Sequence, residues 1–129
     1  MLAEVTTSFQ HHYEDVTFES RMEVVRRRSD GGSLRLVTAM DQGVQLGYCL
    51  STIGRDRIGW VDSFYVRPQH RGNGIGREMM LRSIDWLHGK GAKAIRLTVT
   101  PGNEDVMGFY RAQGFELRKY LLELDVKNE

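Results

Sequence analysis

Apolar positions in the first quarter of the chain recur at helical spacing. Val5, Phe9, His12 and Val16 share one helical face, and Phe18, Met22 and Val25 continue the pattern. This predicts two amphipathic helices, over residues 3–14 and 17–29. Thr17 suits the N-cap of the second, and Ser29-Asp30-Gly31-Gly32 stops it. The period then changes to two. Residues 33–40 alternate Leu34, Leu36 and Thr38 against Arg35, Val37 and Ala39, and two further strands are expected over 44–53 and 57–66. Asp41-Gln42-Gly43 and Gly54-Arg55-Asp56 separate them, and turns this short predict an antiparallel meander. Pro68 ends the third strand, because it cannot donate to a ladder.

Helical spacing returns with Ile75, Met79, Met80, Ile84 and Leu87, up to Gly89-Lys90-Gly91. Residues 94–100 are rich in strand formers and are closed by Pro101-Gly102. Asn103 is placed to N-cap a short helix, with Glu104 and Asp105 in its first turn, where carboxylates suit the helix dipole. That helix runs through Phe109 and Tyr110 to Gly114, and residues 115–126 are expected to form a last strand. The step from strand 57–66 through a helix to strand 94–100 implies a right-handed parallel crossover. The expected architecture is an α/β fold with a mixed sheet, in the order ααβββαβαβ, as one domain over residues 1–129.

Composition narrows the classes. Apolar residues make up 40% of the 129 positions and charged ones 27%, enough core formers for a folded domain. The formal charge of +1 offers no excess that would argue for nucleic acid or an anionic membrane. The run Arg26-Arg27-Arg28 is short and reads as a solvated helix end. No apolar stretch has the length of a membrane span, and the N-terminal residues lack the pattern of a signal peptide. The one cysteine, Cys49, excludes an intramolecular disulfide, reads as a buried core thiol, and suits a reducing cytoplasm. His11, His12, His70 and His88 lack metal-ligand spacing, so no metal is expected.

The chemistry-bearing segment is Arg71-Gly72-Asn73-Gly74-Ile75-Gly76, between a strand and a helix. Glycines let the backbone approach a ligand, and the first turn of a helix offers unpaired N–H donors with the positive dipole end. Such a turn suits a phosphate or pyrophosphate; a tight strand-to-helix turn without ligand is the alternative. It is neither a dinucleotide fingerprint, which would need glycine where Arg77 stands, nor a P-loop, for which no Gly-Lys-Ser/Thr string follows.

From Phe64 to Gly76 the chain resembles the acyl-CoA-binding motif of the GNAT superfamily of N-acetyltransferases, with Arg71, Gly74 and Gly76 at the motif positions. The resemblance continues through Thr98 to Asn103, Phe109-Tyr110 and Gly114-Phe115, and covers about residues 44–120. It implies acetyl-CoA (coenzyme A) as cosubstrate. The backbone of Phe64, Tyr65 and Val66 would bind the pantetheine arm, and the amides of Arg71, Gly72, Asn73, Gly74, Ile75 and Gly76 the pyrophosphate. Asn103 resembles the residue that contacts the cofactor near the opened strand, with a plain N-cap as its other reading. Tyr110 resembles the tyrosine that protonates the departing thiolate; its other reading is a packing aromatic beside Phe109. The general base is not carried over: Thr98 and Trp60 stand where some relatives carry a glutamate. Asp62 lies on the strand before the loop, and period two puts it on the face of Phe64 and Val66. It would accept the acceptor's proton directly, relay it through water or orient the amine, with an inert strand-end carboxylate as its other reading.

The expected activity is direct acetyl transfer in a ternary complex to a primary amine: a small molecule, an amino acid, an aminoglycoside or a peptide N-terminus. The alternatives are a non-catalytic CoA-binding or sensor module and an interaction domain without cofactor. Relatives begin with a strand before the first helices, for which this chain leaves little room. That implies a trimmed chain or a sheet without its first strand, whose open edge would invite a homodimer.

Overall fold

The computed structural model describes residues 3–6, 12–16 and 32–126 of the chain. Contacts divide the chain into two units, Met1–Thr98 and Val99–Glu129.

The first unit holds β1 (Ala3–Thr6), β2 (His12–Val16), β3 (Ser33–Asp41), β4 (Val44–Ile53), β5 (Ile58–Val66), α1 (Ile75–Gly89) and β6 (Ala94–Arg96). The described strands form one sheet in the order β1-β2-β3-β4-β5-β6. Neighbours are antiparallel from β1 to β5, and β6 lies parallel to β5 after the crossover through α1. The expected meander is present. Gln42 and Gly43 both have positive φ (49° and 80°), the mirror-image turn whose twist matches a two-residue hairpin.

The N-terminal expectation is corrected. Residues 3–6 and 12–16 are strands, not parts of one helix: β1 pairs with β2, and β2 pairs with β3 along its whole length. Helical spacing of a few apolar residues cannot distinguish the two states, and a ladder against β3 satisfies the β2 backbone. The sheet therefore does not lack a first strand. The β3 edge that suggested a second subunit is covered by β2. The expected helix 17–29, Thr17 and the arginine run lie outside the described residues.

One face of the sheet carries α1. Val37, Ala39, Cys49 and Val61 are buried there with Ile75, Met79, Met80 and Leu87 of the helix. Burying each such Leu, Met or Ile stabilises by about 1.5–3 kcal/mol. Gly59 permits the close approach of α1: a Cβ there would stand 3.0 Å from Leu87 Cδ2. Among the described residues no helix is long and apolar enough to cross a membrane.

Cys49 is a free, buried thiol, as the sequence suggested. Burial, joined by the nearby Asp62 charge and opposed by the Ser83 hydroxyl, pushes it from 9.0 up to about 11. Between those values the unfolded chain gives up the proton and the folded chain keeps it, so stability falls as pH rises from about 9. Cys49→Ala removes this slope, at most ~1.4 kcal/mol per pH unit; urea titrations of both proteins from neutral to alkaline pH check it.

The second unit contains a 3-10 turn, Glu104–Val106, leading into α2 (Met107–Ala112). Gly114 follows with φ 102°, the left-handed residue expected past a helix end. Two strand expectations shrink. The strand over 94–100 is ladder only at Ala94–Arg96; the next position would oppose Val61, where β5 loses its regular register. Residues 115–126 form no strand. Tyr120, Leu122, Leu124 and Val126 keep the alternation but are exposed, and alternation without a paired edge leaves the backbone in water.

Candidate active site

The site starts from an irregularity in β5. Leu50 pairs with Ser63 and the next residue, Ser51, with Val61, so Asp62 is the extra residue of a β-bulge. The bulge reverses the face expected for Asp62. Phe64 and Val66 pair with Cys49 and Gly47 on the α1 side of the sheet. Asp62 instead turns to the opposite face, where the Thr52 hydroxyl donates to its Oδ2 at 2.6 Å. Ser63 faces the same way, and its hydroxyl donates to Tyr48 Oη at 3.1 Å. Beside them Leu36, Gln45, Tyr48, Leu50 and Ser63 line an open cleft of about 300 Å³.

The second feature is an opened strand pair. The β5–β6 ladder runs only from Ile58↔Ala94 to Trp60↔Arg96, while β5 continues to Val66. Past Trp60, that edge of β5 has no strand partner among the described residues. Register settles which groups face it. The Arg67 N–H donates to Leu46 O at 2.8 Å, so pairing with β4 falls on Arg67, Tyr65 and Ser63. The backbone groups of Phe64 and Val66 therefore point to the open side, and those of Tyr65 point to β4. Tyr65 contributes its ring instead, 5.7 Å from the Arg71 guanidinium carbon.

At the end of this edge stands the glycine turn. Pro68–His70 form a 3-10 turn, Arg71 follows, and its Nε donates back to Val66 O at 2.8 Å. The motif arginine thus ties the loop to the strand end. Gly72 and Gly74 both have φ 84°, a region that branched side chains avoid, and a Cβ on either would meet only open space. The first bond of α1 is Glu78 N–H to Gly74 O at 3.0 Å, which leaves the Ile75, Gly76 and Arg77 amides without intrahelical acceptors. The Ile75 side chain is buried and anchors that first turn. An exposed turn with outward amides at a helix N-terminus fits a pyrophosphate.

The model of the acetyltransferase (GNAT) family matches residues 2–115. The chain belongs to this family. It is 31% identical over 72 residues to thialysine N-epsilon-acetyltransferase of Bos taurus, covering 56% of this chain and 42% of the relative. It is 26% identical over 95 residues to an uncharacterized N-acetyltransferase of Methanocaldococcus jannaschii, covering 72% of this chain and 42% of that protein. The chain thus spans less than half the length of these two relatives. Among solved structures, the aminoglycoside N-acetyltransferase AAC(6')-Iy in complex with CoA superposes with TM-score 0.70 at 18% identity, over 90% of this chain and 99% of that one. At that identity the likeness establishes the fold.

The remaining GNAT motif residues lie in the second unit. Asn103 precedes the 3-10 turn, but its side chain makes no capping hydrogen bond; Val106 N–H donates to Asn103 O at 3.3 Å, and the Gly102 N–H donates to Glu104 Oε1 at 2.6 Å. The plain N-cap reading of Asn103 is therefore not met. Tyr110 lies in α2 with its ring edge-on to Phe109 (5.6 Å) and Phe115 (6.1 Å). Thr98 and Trp60 bring no carboxylate. Sequence reasoning did not single out Thr52, Ser63 or Tyr48, because no motif marks them; only the bulge puts Asp62 on their face of the sheet.

Proposed function

We infer that the chain uses the open β5 edge and the glycine turn to bind acetyl-CoA, and transfers its acetyl group to a primary amine in a ternary complex. The observation that carries this reading is continuity: the β5 edge that runs on past its last β6 partner at Trp60 leads directly into the helix start whose Ile75, Gly76 and Arg77 amides have no intrahelical acceptors. An extended pantetheine can add there as a strand would, with its pyrophosphate at the helix end. Asp62 receives a proton of the incoming ammonium, directly or through water. The amine nitrogen attacks the thioester carbonyl, the C–N bond forms and the C–S bond breaks. Tyr110 gives its proton to the leaving sulfur, and the second proton that the nitrogen sheds as the amide forms restores the phenol. The acceptor enters by the cleft of Leu36, Tyr48 and Leu50, on the face that Asp62 occupies. The named acceptors of relatives, thialysine and aminoglycosides, support an amine. A reduced, buried cysteine suits a cytoplasmic setting.

Release of free thiol from acetyl-CoA across a panel of amines tests the reading. Amine-dependent release supports it. Tight CoA binding without turnover points to a sensor module, and no CoA binding removes the assignment altogether.

Gly74→Val loses at least tenfold in CoA affinity, about 1.4 kcal/mol, by calorimetry. Gly43→Val is its control. It imposes the same kind of strain at φ 80°, in the β3–β4 hairpin instead of the glycine turn, and leaves CoA affinity at the wild-type value.

A further inference from the structure

Asp62 owes its orientation to a residue that no motif marks. Thr52 lies on β4 opposite Trp60, and the bulge swings Asp62 diagonally across to it. The hydroxyl-to-carboxylate bond is 2.6 Å long, in the range of charge-assisted hydrogen bonds. Thr52 is only 1% exposed, so water has no ready access to replace its hydroxyl. Its β-branched side chain has few rotamers and sits in a strand, which fixes where the donor points.

We propose that Thr52 is the positioning residue of the acceptor site: its hydroxyl fixes the Asp62 carboxylate on the sheet face that carries the cleft lined by Tyr48 and Ser63, in the geometry that receives the acceptor's proton. This rests on the reading of Asp62 as the proton acceptor. Thr52 touches neither substrate, so its loss acts on kcat for the amine and leaves CoA affinity alone.

The test is a series at one position. Thr52→Val keeps the shape and removes the donor; kcat/KM for the amine falls about tenfold, as expected for a mis-set catalytic group. Thr52→Ser keeps the hydroxyl and restores activity to within about twofold of wild type. Should Thr52→Val fail to fold, Thr52→Ala against Thr52→Ser makes the same comparison. In an Asp62→Asn background, Thr52→Val adds no further loss, because the two residues act as one unit. Equal losses in the Val and Ser variants, or full additivity with Asp62→Asn, overturn the proposal while Asp62 keeps its role. An Asp62→Asn protein with wild-type kcat overturns the reading of Asp62, and this proposal with it.

Discussion

Asp62→Asn lowers kcat/KM for the amine by roughly 10² or more, with CoA affinity unchanged. The amide keeps the shape of the carboxylate, and its oxygen can still accept the Thr52 hydroxyl now 2.6 Å from Oδ2. What disappears is basicity. An alkylammonium acceptor is almost wholly protonated at neutral pH, so attack requires a group that receives a proton. Asp62 is half-buried at a bulge, on the same sheet face as Ser63, Tyr48 and the cleft they line. Initial rates at varied amine, with CoA binding measured separately, give the result. A loss of only about twofold sends the proton to water or to another residue.

The face on which Asp62 sits also shows where sequence reading ends. Alternation is a local rule, and it located β3, β4 and β5 to within a residue at each end because each strand packs one side on α1. A bulge adds one residue to one strand and leaves no trace in composition, yet it turns Asp62 away from Phe64 and Val66. The glycine turn was readable for the opposite reason. Positive φ at Gly72 and Gly74 is a backbone demand that residue identity records directly. At the N-terminus, Val5, Phe9, His12 and Val16 gave a helical spacing by coincidence, while the partner that makes β2 a strand lies twenty or more residues away in β3. Asn103 stands between these cases: its type and position suited a cap, but its side chain makes no capping bond.

Tyr110→Phe lowers kcat about a hundredfold, near the lower end of the range for general acid catalysis, and leaves CoA affinity nearly constant. The substitution removes one oxygen. The ring keeps its edge-on contacts with Phe109 and Phe115, and the Phe115 N–H still donates to residue 110's carbonyl. A packing role therefore predicts almost no change. A catalytic role predicts a loss in the transition state alone, because the phenol's bond to sulfur strengthens only as the C–S bond breaks. The pH dependence separates the two further. A thiol of ordinary pKa near ~8.5 leaves as a thiolate without help at alkaline pH, whereas at neutral pH it gains from a proton donor. The ratio of wild-type to variant kcat should be largest near pH 7 and shrink toward pH 9.5, with both proteins folded by circular dichroism throughout. If the Phe variant turns over like the wild type across that range, Tyr110 packs α2 and the leaving thiolate takes its proton from elsewhere.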